Sequence, residues 1–493
     1  MKKRYLVSAT ALATLLFGAD PVFAQTTPPT IPPMLPQTMP QTLPPTYMEG
    51  VPTLPMTIQA ANNANNTAPA EQPNGIANPT PGSVVVHLNA RVLFAPVAEW
   101  SSLDTFKATP TSAAAKLSHF ANVGYVRIYP GVDAVAANGL RYGASVEIRQ
   151  NFGPVAGSTT TSGGSANSFS STLFVRRSFV YVAADQAGIV RMGQGDGIIG
   201  LFDNGITTFQ NFDTGGWDGD LQGTIPGNAN LSFPFPALQG AEYTNSKIVY
   251  ISPQFAGVDF GVAYAPNSGP QDDGATINSL TSTAPTLTGC SAAGSGCPTL
   301  TSSTIALDGS RFTNLIEAGL RYRGNVGPVG IYAFGIYNTS GHVNVSPAVA
   351  GSQFNGLNFG DGGMVLTYGG LTVGGHVMAG DFNGVLALQP KGGVAANAWL
   401  LGAQYAAGPL TAGASYYVYQ SQGSPLTVGI AQRVERGLAL GATYNLAPGL
   451  QLIGSYLYGT RHQGDFNFAT GAVGPANNNV QSELLSAALL VKW

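Results

Sequence analysis

Beyond its first two dozen residues this chain holds no apolar run long enough to cross a bilayer as a helix. From residue 83 to residue 493, however, segments of roughly ten residues alternate apolar with polar side chains. Inside lipid every backbone N–H and C=O has to be paired within the protein, so only helices and closed sheets can span. With helices unavailable, the pattern predicts an all-β fold, a transmembrane antiparallel β-barrel. Charged residues make up only 9% of the chain, against roughly 25% in soluble domains, which suits a wall whose alternate residues meet lipid. A net charge of −3 gives no case for a nucleic-acid partner.

The N-terminus reads as an export signal over residues 1–24. Lys2, Lys3 and Arg4 precede an apolar stretch at 5–17, and Val22-Phe23-Ala24 form a small-residue cleavage site before Gln25. An uncleaved anchor helix is the alternative, but the apolar stretch is short and stops at Gly18-Ala19-Asp20. Residues 25–82 are crowded with Pro, Asn and Thr and almost free of charge, so they are expected as an extended or disordered periplasmic leader. A polyproline contact with peptidoglycan or a partner is the functional alternative. The barrel domain is then 83–493.

Residues 83–97 set the pattern, with Val84, Val86, Leu88, Ala90, Val92 and Phe94 on one side and His87, Asn89 and Arg91 on the other. Segments 120–130 and 138–151 are joined by a turn ending in Asn138-Gly139, a strong hairpin signal. In the second of these, Tyr142, Ala144, Val146 and Ile148 alternate with Ser145, Glu147 and Arg149. The same rhythm pairs 171–183 with 188–194, 244–252 with 257–265, 311–323 with 328–338 and 357–368 with 371–381. It goes on to pair 396–406 with 409–420 and 434–445 with 449–461, and closes with 481–493. The total is about sixteen strands, an even number as in bacterial barrels. Tight turns such as Gly369-Gly370 and Ala407-Gly408 alternate with long polar stretches such as 339–356, 382–395 and 462–480. Short turns are expected on the periplasmic side, together with both ends of the barrel, and long loops outside. Tyr322, Tyr332, Tyr337, Tyr368, Trp399, Tyr405, Tyr444 and Tyr458 lie near strand ends, where interfacial girdles form, although strand propensity alone also enriches Tyr.

The longest connection is 195–243, and connections of that length usually carry function. It contains Asp203, Asp213, Asp218 and Asp220 around Gly215-Gly216-Trp217, while the inner faces of the early strands supply Arg91, Arg127, Arg149, Arg176 and Arg191. Folded into the lumen, the loop would set its carboxylates against an arginine wall, and the transverse field would screen solutes by charge and dipole. The alternative leaves the acids solvated outside and the arginines paired with Glu147 or other nearby groups. Arg177 falls on the apolar side by alternation, which points either to a subunit interface or to a register off by one residue. Gly195-Asp196-Gly197-Ile198-Ile199-Gly200 matches a dinucleotide fingerprint. The turn formers that follow it and the all-β surroundings argue instead for glycines that let the chain leave the wall sharply.

Cys290 and Cys297 are the only cysteines and sit in a Ser/Gly/Thr-rich stretch, so in an exported chain one disulfide closing a small loop is expected, and no metal site. His87, His119, His342, His376 and His462 are scattered without a motif spacing, and neither an enzymatic site nor a cofactor is expected.

Two stretches carry a family resemblance. Phe174-Val175-Arg176-Arg177-Ser178-Phe179-Val180-Tyr181-Val182, followed by Ala187-Gly188-Ile189-Val190-Arg191-Met192-Gly193-Gln194, resembles the strand pair before the constriction loop of general Gram-negative outer-membrane porins. Residues 247–264 are similar to that family's hairpin after the loop, and the terminal Trp493 to its assembly signal, where Phe is the commoner residue. The resemblance covers residue 83 to the end. It implies a sixteen-stranded, trimeric, water-filled channel whose third external loop, here 195–243, folds inward, with Arg149 and Arg176 in its basic cluster and the early strands near the trimer contact. The Pro-rich leader departs from the family pattern.

The expected function is passive diffusion of small hydrophilic solutes and ions across an outer membrane, with lipid, like copies and the outer-membrane assembly machinery as partners. A carbohydrate-selective channel, with Trp217 and Tyr243 as stacking aromatics, is the nearest alternative. A barrel with a mainly adhesive or tethering role through its leader is another.

Overall fold

The computed structural model describes residues 81–106, 118–151, 173–202, 216–217, 221, 224–225, 229–235, 245–267, 312–342, 354–384, 386–423 and 431–493. The expected signal, and all of the expected leader but Pro81 and Gly82, lie outside the described residues, as do Asp203, Asp213, Asp218, Asp220, Tyr243, Cys290 and Cys297.

Alternation is realised as β1 (Ser83–Ser101), β2 (Phe120–Val135), β3 (Arg141–Asn151), β4 (Phe174–Ala184), β5 (Gly188–Gln194), β6 (Ser246–Ile251), β7 (Val258–Asn267) and β8 (Phe312–Val326). The second half comprises β9 (Val329–His342), β10 (Asn358–Tyr368), β11 (Leu371–Asp381), β12 (Ala396–Ala407), β13 (Leu410–Ser421), β14 (Arg433–Ala447), β15 (Leu450–His462) and β18 (Asn479–Lys492). These sixteen strands, antiparallel throughout, form one closed barrel in which β1 pairs with both β2 and β18. The two-residue strands β16 (Phe466–Asn467) and β17 (Ala472–Val473) pair only with each other, between β15 and β18. The only described helix is the single turn α1 (Ile198–Phe202) after β5.

Side chains on one parity of each strand are exposed and apolar, as with Val86 (74%), Val377 (60%) and Leu401 (57%). In water such a surface would be a liability; around a barrel it is the band that lipid solvates. The other parity is buried and mixed. On β1 it carries His87, Asn89, Arg91, Leu93, Ala95, Val97 and Glu99, the division expected from sequence. Turns between paired strands are tight: Gly139 adopts φ +85°, and the Ala136 N–H donates to Leu140 O at 2.7 Å. Such a φ is open to glycine at little cost. Both Ser83 and Lys492 lie at this short-turn end, since Ser83 pairs with Val135 and Leu450 with Val491.

One open alternative is decided, in favour of a shifted register, and one sequence expectation is corrected. Arg177 does not face outward: the β3–β4 register steps from Glu147↔Arg177 to Ile148↔Val175, leaving Arg176 as the extra residue of a β-bulge. The inserted residue lets Arg176 and Arg177 both be buried on the inner side while Val175 and Val180 stay outside. Tyr332 is not an interfacial residue either, because it shares the inward parity of Phe334 and Ile336, and its hydroxyl donates to Phe202 O at 2.8 Å. Tyr337, Tyr368, Trp399, Tyr405 and Tyr444 do face outward.

Candidate functional site inside the barrel

Strand register builds an arginine wall. Arg91 on β1 is the direct partner of Arg127 on β2, which is the partner of Arg149 on β3, so three guanidinium groups start from one row across neighbouring strands. Arg176 and Arg177 join them through the bulge, and Arg191 on β5 lies across from Tyr181. All six are buried on the inner face. Like charges this close need compensation, and Glu147 supplies it by accepting hydrogen bonds from Arg149 Nε, Arg176 Nη1 (3.2 Å) and Arg177 Nε. Arg177 Nη1 also donates to Asp196 at 2.9 Å. Aromatic faces take more of the load: Arg127 lies 3.9 Å from the Tyr125 ring centre and Arg191 4.0 Å from that of Phe179. Each such contact is worth about 0.5–2 kcal/mol, the upper end applying when it is desolvated.

The connection after β5 enters the barrel. Lys247 Nζ donates to Gly195 O at 3.0 Å where the chain leaves the wall. Gly197 passes so close to β8 that a Cβ there would lie 2.3 Å from both carboxylate oxygens of Glu317, and the Ile199 N–H then donates to Glu317 Oε2 at 3.0 Å. A helix begins inside the glycine motif, at Ile198, but it is one buried turn with no βαβ unit among the described residues; the motif serves close packing. Opposite it, Arg321 holds Asp259 through both carboxylate oxygens (2.9 and 2.6 Å), donates to Leu201 O at 3.2 Å and lies over the Phe202 ring. The helix is thereby fastened to β7, β8 and β9.

Further along, the loop crosses to the far wall. Phe235 packs 4.2 Å from His376 on β11, whose Nε2 hydrogen-bonds Asp361 Oδ1 on β10. Phe233 meets Tyr417 on β13, whose hydroxyl donates to Ser232 O at 3.0 Å. The indole Nε1–H of Trp217 donates to Leu438 O on β14 at 3.0 Å. The described parts of 195–243 therefore lie in the lumen, anchored from β7 to β15. The four aspartates expected to oppose the arginines are outside the described residues, although their neighbours Phe202, Trp217 and Leu221 are buried within.

Glu317, Asp259 with Arg321 and Arg323, Asp361 as the partner of His376, and Glu435 with Arg461 are inner-face groups; of these the sequence names only His376, as a scattered histidine. Their signal was present in strand parity, since Glu317, Arg321 and Arg323 alternate with outward Ala318 and Leu320. At the seam, Trp493 exchanges both main-chain hydrogen bonds with Ala90 (3.0 and 3.1 Å).

A family model described as Gram-negative porin matches residues 104–464. The chain belongs to the Gram-negative porin family. It is an outer-membrane porin. Among solved structures, this porin is similar to an anion-selective porin from Comamonas acidovorans (14% identity, 83% of this chain, 100% of that chain, TM-score 0.47). It is also similar to a triple mutant of Rhodopseudomonas blastica porin (14%, 83%, 100%, TM-score 0.43) and to Salmonella typhi OmpF in complex with daunomycin (12%, 83%, 97%, TM-score 0.48). No curated protein matches the porin's sequence.

Proposed function

We propose that the porin carries small hydrophilic solutes and ions by passive diffusion through a wet passage between the inward loop and the arginine wall. Asp203, Asp213, Asp218 and Asp220 face Arg91, Arg127, Arg149, Arg176 and Arg191 across it. The observation that supports this most is the anchoring of the segment after β5 to strands β7–β15, which leaves the arginine-bearing β1–β5 side as its opposite bank. Charge opposed across a narrow gap in a low-dielectric frame acts over the whole aperture, so it ranks solutes by charge and dipole. Export by the N-terminal signal, insertion guided by Trp493, a trimeric state and a Cys290–Cys297 disulfide complete the reading. Purified protein in a planar bilayer is expected to give stepwise conductance, and a silent bilayer rejects the proposal. Carbohydrate selectivity through Trp217 loses ground: its indole is 2% exposed and packed into the wall, where no sugar can stack on it.

A further inference from the structure

Gly437 on β14 and Gly459 on β15 are direct register partners, and together they open a notch in the inner wall, as Gly261 and Gly319 do on β7 and β8 beneath Ile198 and Phe202. The notch is filled. A Cβ at Gly437 would lie 2.7 Å from Trp217 Cδ1 and 2.2 Å from Tyr417 Cε1. One at Gly459 would lie 2.6 Å from Trp217 Cζ2 and 2.6 Å from Leu231 Cδ1. Trp217 and Leu231, well separated along the loop, both enter this one socket. The indole adds a directed bond, Nε1–H to Leu438 O, which fixes its depth as well as its position. Phe233 and Phe235 extend the same contact along β13 and β11.

From this geometry we infer that Trp217 is a positioning residue, latched in the Gly437–Gly459 socket, which sets the stand-off of the loop from the arginine wall and hence the aperture. The inference rests on the proposed function. The α1 end of the loop is held by Glu317 and Arg321 and the 232–235 segment by Tyr417 and His376, while Trp217 and Leu231 make the described contacts of the loop's middle with the Gly437–Gly459 socket. Loss of the Trp217 contact lets the span between those two holds move across the gap. Shape does this, because a tryptophan seated against two glycines has one depth.

The test compares wild type, Trp217→Ala, Trp217→Phe and Gly459→Val as full-length protein. Single-channel conductance in planar bilayers and swelling rates of liposomes in neutral sugars of graded size are read, with heat-modifiable migration showing that each barrel is closed. Trp217→Ala empties the socket and Gly459→Val blocks it, so both are expected to replace one conductance level by a broader, higher set and to admit larger sugars. Trp217→Phe, which keeps most of the ring and loses the Nε1 bond, is expected between them and wild type. Either closed-barrel variant, Trp217→Ala or Gly459→Val, that keeps the wild-type conductance and size limit overturns the latch. If neither closes, the socket is needed for barrel assembly rather than for aperture, which also overturns it. A silent wild type would fall on the channel reading instead, since the latch is judged only against a conducting parent.

Discussion

At the scale of single residues, inner-face chemistry turns on parity, and one inserted residue alters it. Strict alternation sends Arg177 into lipid, where a cation costs about 2–4 kcal/mol near the midplane. The bulge at Arg176 returns it to Glu147 and Asp196. A sequence pattern cannot announce such a bulge, because nothing in the residue types marks which one is extra. The residues themselves were legible: all five arginines assigned to the inner face are buried there, and Glu147 is at their centre. Glu147→Gln leaves three guanidinium groups without their shared carboxylate. It is expected to cost about 3 kcal/mol, as breaking a buried ion pair does. The reversal potential in a salt gradient should move toward anions. A variant with unchanged selectivity and unchanged thermal unfolding would show that the wall is compensated elsewhere.

At the scale of elements, hairpins were readable because turn chemistry and alternation agree: segments 188–194 and 371–381 coincide with β5 and β11. Where the chain is still turning, the reading started a strand too early. Asn138 Oδ1 accepts the Leu140 N–H at 3.1 Å, so β3 begins at Arg141 and not at Asn138. The course of the inward loop was only partly legible, since its attachments are long-range and set by packing against glycines that look like ordinary strand residues. At its first turn, Glu317→Ala deprives the Ile199 N–H of its acceptor, an expected cost of about 1–3 kcal/mol for a buried donor left unpaired. Because the helix turn and not the barrel bears that loss, it should appear as noisier open-channel current with the melting of the sheet little changed. At the opposite edge, removal of Trp493 takes away the two hydrogen bonds to Ala90 and is expected to lower the yield of heat-modifiable, folded barrel.

At the scale of the whole molecule, the outward band and the buried polar lumen divide solvents, and two measurements follow. Val377→Arg, on the lipid side of β11, is expected to destabilise the inserted protein by about 2–4 kcal/mol in urea titrations from bilayers if it lies near the midplane. A cost near zero would place that position out of contact with acyl chains. Ion selectivity should weaken as salt rises toward 1 M, where the screening length falls to about 3 Å and charge on one bank no longer reaches the other. Closure itself has a kinetic consequence. The seam joins Arg91 to Lys492, residues from nearly opposite ends of the sequence, and β18 alone fills the gap between β1 and β15. Until the fourteen residues of β18 are in place, a nascent chain presents two open edges, each a template for wrong pairing. Contacts so distant in sequence form slowly, so refolding should be rate-limited by that final stitch, and a chain stopped short of residue 479 should aggregate where the full chain inserts.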